Sequence, residues 1–129
     1  MLWFKKPLKA LLNVVPASAS DPEVDVDAQA LTKVVNMCAV AAASAVGVAQ
    51  SSYDDLAKGE RLRFESAKRM SLELAKNITD VSHRDTALQH VVELCMKAND
   101  TQTARIIVRG IESQMIREKL LEQHPVIFY

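Results

Sequence analysis

The chain has 129 residues, sixteen basic against sixteen acidic, and 49% of it is apolar. That length is enough for one domain with its own core and needs no disulfide or metal staple. The balanced charge argues against nucleic acid as a partner. Only 5% of residues are aromatic while Ala and Val abound, which suits closely approaching helices better than a β-sandwich.

Residues 1–16, MLWFKKPLKALLNVVP, set Lys5, Lys6 and Lys9 among Trp3, Phe4, Leu8, Leu11, Leu12 and Val15. Leu8, Leu11, Leu12 and Val15 keep helical spacing, and Pro7 is acceptable in a first turn. Three readings stay open for this stretch. It is an amphipathic arm packed on the body or on a partner, an interfacial membrane anchor within residues 1–15, or a cleaved signal. The signal reading is weakened by an apolar stretch of only Ala10 to Val15, interrupted by Asn13. Residues 16–27, PASASDPEVDVD, form an acidic, proline-punctuated linker that offers Asp21-Pro22-Glu23, Asp25 or Asp27 as the start of a helix.

A helix is expected to start between residues 22 and 28 and to run to about Gln50. Between Met37 and Ala49 it is almost wholly apolar and small, with Ala39, Ala43 and Gly47 forming a smooth strip. The apolar run is short for a membrane span, so a central helix buried on every side is expected.

Ser52 or Asp54 is the expected cap of the next helix, in which Phe64, Ala67, Ser71, Leu74 and Ile78 line one face. Arg61, Arg63, Lys68 and Arg69 give the body its one local excess of positive charge, with Glu65 and Arg69 at pairing distance. Ser82 and Asp85 resemble a capping box, opening a helix with Ala87, Leu88, Val91, Val92, Cys95 and Ala98 inside. Asn99-Asp100 turns the chain into a helix lined by Ala104, Ile107, Val108 and Ile111. Ser113 caps the last helix, which carries Ile116, Leu120 and Leu121. Pro125 stops it and leaves Val126, Ile127, Phe128 and Tyr129 as an apolar tail, expected to lie in a groove of its own body.

Nothing in the sequence marks a catalytic, cofactor or metal site. His83 and His90 are seven residues apart, too far for one metal on a straight helix, and His124 stands alone. Cys38 and Cys95 sit in apolar segments without a basic neighbour to activate them, as free thiols of a reducing, cytoplasmic compartment do.

Residues 74–90, LAKNITDVSHRDTALQH, echo 33 positions later as residues 107–123, IVRGIESQMIREKLLEQ. Ile78, Arg84 and Leu88 meet Ile111, Arg117 and Leu121, and Asp85 meets Glu118. The acids suit the positive end of a helix and the arginines a bridge to the preceding turn. Over roughly residues 60–123 this unit resembles the helix-turn-helix repeats of tetratricopeptide-like αα-superhelical proteins, although their Trp, Gly, Tyr and Pro positions are missing.

The resemblance implies that the unit binds other proteins. The expected fold is all-α, an antiparallel bundle or short αα-superhelix of about five helices, with the Ala-rich helix backing two hairpins. Residues 1–20 form the arm and linker, 21–124 the helical domain and 125–129 the tail. A non-enzymatic, bacterial adaptor, accessory or inhibitor protein is expected, meeting another protein or a second copy of itself. Candidate binding residues are Trp3, Phe4, Arg61, Arg63, Lys68, Arg69, Phe128 and Tyr129. The alternative is a peripheral protein held at a membrane surface by residues 1–15.

Overall fold

The computed structural model describes residues 25–50 and 55–128, and these are all-α. Helix α1 spans Val26–Gln50, α2 Asp55–Lys76, α3 Val81–Lys97, α4 Thr101–Gly110 and α5 Gln114–Gln123, and a 3-10 turn follows over Pro125–Phe128. Trp3, Phe4 and the rest of the N-terminal arm lie outside the described residues, as do Ser52, Asp54 and Tyr129.

Short polar side chains set the helix starts. Asp25 accepts the Ala28 amide at 3.0 Å, Asp100 that of Thr103 at 3.2 Å and Ser113 that of Ile116 at 3.3 Å. Each satisfies an amide that the first turn leaves free. The cap of α3 differs from expectation. It is Asp80, accepting from His83 at 2.9 Å, while Ser82 falls inside the helix. Helix α3 ends in a Schellman motif. Asn99 takes φ 59°, its amide donates to the Met96 carbonyl at 3.1 Å and the Asp100 amide to that of Cys95 at 2.8 Å.

Helix α1 packs on α2 and α3, α4 on α3, and the 3-10 turn on α4 and α5. The long apolar helix therefore backs the α2–α3 hairpin, and the α4–α5 hairpin joins through α3. The core holds the expected stripes of α3 and α4, Phe64 and Ile78 of the stripe expected for α2, and Leu120 of α5, with Ala75 and Leu94 added; Ala67 and Leu74 are only half-buried against it.

Burial of α1 on every side does not occur. Its buried positions are Val34, Cys38, Ala41, Ser44 and Ala45, a single face. Ala39 and Ala43 are exposed, and Gly47 faces the Glu60 side chain. Among the described residues two helices cover α1, and its other side meets neither of them. As a helix of 25 residues with an 18-residue window of mean hydropathy 1.6, α1 is long and apolar enough to cross a membrane, by length and composition.

Two carboxylates tie the hairpins together. Asp27, in the first turn of α1, accepts the amide of Thr79 at 3.3 Å, its hydroxyl at 2.8 Å and the amide of Asp80 at 2.8 Å. Asp85, on α3, accepts the amides of Glu112 at 3.3 Å and Ser113 at 2.8 Å. The turns they hold are 33 residues apart in the chain. Asp85 thus serves the next turn and not its own helix end. Arg117 reaches the preceding turn as expected, donating to the carbonyls of Ile111 at 2.6 Å and Glu112 at 3.0 Å. Arg84 instead reaches forward to Glu112 at 2.7 Å.

Candidate functional site

The largest opening among the described residues is an apolar groove of about 600 Å³ between α1 and α2. From α1 it takes Asn36, Met37, Val40, Ala41 and Ser44, and from α2 Leu62, Arg63, Ser66, Ala67 and Met70. Val40 is 83% exposed, Leu62 68% and Met70 51%. The groove exists because the second half of α1 is apolar and small on all its faces and, among the described residues, no third helix packs on this side. Helices of a soluble domain usually present a polar face at such a position.

The groove is polar at one end. Arg63 Nε donates to Ser44 Oγ at 3.2 Å, and the same guanidinium pairs with Glu60. The Ser44 hydroxyl and the Arg63 charge hold the Glu60 carboxyl below its ordinary range. A Cβ placed on Gly47 would meet Glu60 Cγ at 3.2 Å, so the small residue lets Glu60 lie across the α1–α2 seam.

The basic residues of α2 do not share a face. Arg63 lines the groove, Arg61 and Arg69 are exposed, and Lys68 points to the far side. Lys68 Nζ sits 2.8 Å from both Glu65 and Asp100 and 5.1 Å from the centroid of the Phe64 ring. Burial pulls this ammonium down, but its bonds to Asp100 and Glu65 outweigh that and hold it above the ordinary lysine value. Lys68 thereby joins α2 to the cap of α4. Glu65 pairs with Lys68 rather than with Arg69.

At the opposite end of the molecule Ile127 is buried. Arg105 donates to the carbonyls of Ile127 at 3.2 Å and Val126 at 3.0 Å. The described part of the tail thus lies against its own body as expected. The backbone of Phe128 closes the 3-10 turn.

Both cysteines are buried and free. Burial raises the Cys38 thiol and pushes that of Cys95 up to about 12, which keeps both protonated and unreactive at neutral pH. His83 Nδ1 lies against Asp80, and His90 is 3.9 Å from Glu93. Among the described residues no group of three His, Cys, Asp or Glu converges to hold a metal ion.

Leu62, Val40 and Met70 escape sequence reasoning because the helical pattern of each segment gives them no distinction. The only signal is the missing polar face of α1, which the sequence displays but which reads equally well as complete burial. Compared with protein families, characterised proteins and solved structures, the chain gives no match.

Proposed function

We propose that this is a non-enzymatic protein-binding module of a reducing, cytoplasmic compartment, and that its binding site is the α1–α2 groove. The observation that carries the reading is the exposure of Val40, Leu62 and Met70 along one continuous apolar trough. The partner such a trough takes is an amphipathic helix with apolar anchors three, four and seven residues apart. Arg63 at the groove and Arg69, one turn beyond Ser66, favour carboxylates along that helix's flank. The resemblance of residues 60–123 to protein-binding helical hairpins supports the same class.

The test is affinity capture from native cells with three forms of the chain: unaltered, Val40→Glu in the groove, and Lys119→Glu on exposed α5. A stoichiometric partner retained by Lys119→Glu and lost by Val40→Glu is the expected result. No stoichiometric partner, or the same partner on all three forms, would sink the reading.

A second reading rests on the hydropathy of α1 and on the Trp, Phe and Lys content of residues 1–15. In it the open side of α1 and the arm meet a membrane surface. Full insertion of α1 would break the bonds of Asp27 to Thr79 and Asp80 and that of Arg63 to Ser44, so surface contact is the form that the packing allows. Co-sedimentation with phosphatidylcholine–phosphatidylserine vesicles decides it. Equal pelleting of the unaltered chain and a Trp3→Ser/Phe4→Ser variant would rule the arm out as an anchor.

A further inference from the structure

Between α4, α5 and the 3-10 turn lies a second hollow, of about 390 Å³, lined by Arg105, Val108, Arg109, Arg117, Leu121 and Ile127. Arg105 and Arg109 are one turn apart on α4, about 6 Å along its axis, and so share a face. Arg117 comes from α5. Val108 and Ile127 are buried and Leu121 is half-buried, which gives the hollow an apolar base. Three cations therefore ring one apolar opening that no Asp or Glu lines.

These charges differ from the other cations of the body. Arg63, Lys68 and Arg84 each meet a carboxylate, whereas Arg105, Arg109 and Arg117 pair with none among the described residues. The acids nearest in the sequence are engaged elsewhere. Glu112 holds Arg84 at 2.7 Å, and Glu118 accepts from Gln114 at 2.7 Å.

Two of the three guanidiniums are nonetheless fixed in place. Arg105 uses Nε and Nη2 on the carbonyls of Ile127 and Val126, and Arg117 uses Nη1 on those of Ile111 and Glu112. These partners are neutral, so they position the heads and leave the charge uncompensated. They also leave N–H groups to spare: Nη1 on Arg105, and Nε and Nη2 on Arg117. Arg109 makes no hydrogen bond to the protein among the described residues. Its place in the last turn of α4 suits the helix dipole, but that effect calls for no second and third arginine around the same hollow.

We propose that this hollow binds a phosphate monoester that carries an apolar body. Three like charges around one opening repel one another, and an anion close to doubly charged relieves that repulsion more than a single carboxylate does. Guanidinium forks match phosphate oxygens, and heads already held by backbone carbonyls lose little freedom on binding. The base of Val108, Leu121 and Ile127 takes the apolar remainder of the ligand. The site lies on different helices from the α1–α2 groove, so the proposal does not rest on the protein-binding reading, and either can fail alone.

Phenyl phosphate is the probe, titrated into the full chain and followed by heteronuclear NMR. Saturable shifts are expected at the amides of Arg105, Arg109, Arg117, Leu121 and Ile127. Binding should be several-fold tighter than that of benzoate, which keeps the ring with one charge, and than that of inorganic phosphate, which lacks the ring. Arg109→Gln should weaken it several-fold while the thermal melt stays in place. Lys119→Glu, a charge reversal on exposed α5 outside the hollow, should leave it nearly unchanged. No saturation, benzoate or inorganic phosphate binding equally well, no effect of Arg109→Gln, or an equal loss in Lys119→Glu each overturns the proposal. With phenyl phosphate bound as expected, vesicles name the source of the group. Pelleting with phosphatidylcholine–phosphatidic acid vesicles that Arg109→Gln abolishes places the monoester on a lipid. Absence of any such Arg109-dependent pelleting makes it a soluble small molecule.

Discussion

The carboxylate of Asp85 accepts the amide of Ser113 at 2.8 Å, joining the second turn of α3 to the cap of α5 across 28 residues of chain. Asp85 is 1% exposed, so the acceptor of this bond and of its companion from Glu112 is shielded from water. Asp27 makes the same connection from α1 to the start of α3. Each carboxylate satisfies two consecutive amides at a helix start, where the backbone dipoles also favour negative charge.

Replacing Asp85 with Ala leaves both amides unsatisfied. A loss of about 2–3 kcal/mol is expected from charge-assisted bonds of this kind, measured by urea unfolding. Asp85→Asn, which keeps an acceptor oxygen, should lose less. A change below about 0.5 kcal/mol for Asp85→Ala would show that the turn finds water instead.

The Asp27–Asp80–His83 junction sets a pH window. The His83 imidazole is held above its ordinary 6.5, chiefly by the hydrogen bond to Asp80, so its stabilising contribution is complete below about 6.5 and fades as pH rises through the folded value. The Asp80 amide and the Thr79 hydroxyl hold Asp27 below 3.8, and the amide and ring of His83 do so for Asp80. Their contributions are present above 3.8 and fade as pH falls through the folded values. The junction is therefore firmest between these limits. In an NMR titration His83 should show a midpoint above 6.5 that Asp80→Asn lowers; an unchanged midpoint would remove Asp80 as the cause.

Asn99 holds the left-handed backbone of the α3 C-terminus, at φ 59°. Asn99→Gly is expected to leave thermal stability unchanged or slightly raised, whereas Asn99→Val should cost about 1–2 kcal/mol. Gly59 offers the reverse case inside α2. A Cβ there meets Arg63 only at ordinary contact distance, 3.6 Å, so Gly59→Ala should add about 0.5–1 kcal/mol. A lower melting temperature for Gly59→Ala would contradict this account.

Ile127 fastens the tail. It is 5% exposed, and Ile127→Ala should cost about 2 kcal/mol or more. Arg105→Ala removes the two bonds to the tail's carbonyls and should cost less, because the Arg105 head is partly solvated. If chemical unfolding finds Ile127→Ala no worse than Arg105→Ala, the tail is held by its hydrogen bonds and not by packing.

The sequence by itself determined the helices, a turn beside Asp80 and another at Asn99-Asp100, the caps Asp100 and Ser113, and the buried stripes of α3 and α4, while it left Asp25 as one of several starts for α1. These features are local, since a cap acts over three residues and a stripe repeats every three or four, so the chain spells them out. Tertiary structure alone decided which face of α1 is covered, because a helix apolar all round carries no pattern to choose one. It also decided that Asp85 serves a distant turn, that Lys68 faces Asp100 and that Val40, Leu62 and Met70 share an open groove. Each of these joins residues far apart in the chain through the docking of one helix on another, and no spacing within a segment encodes that.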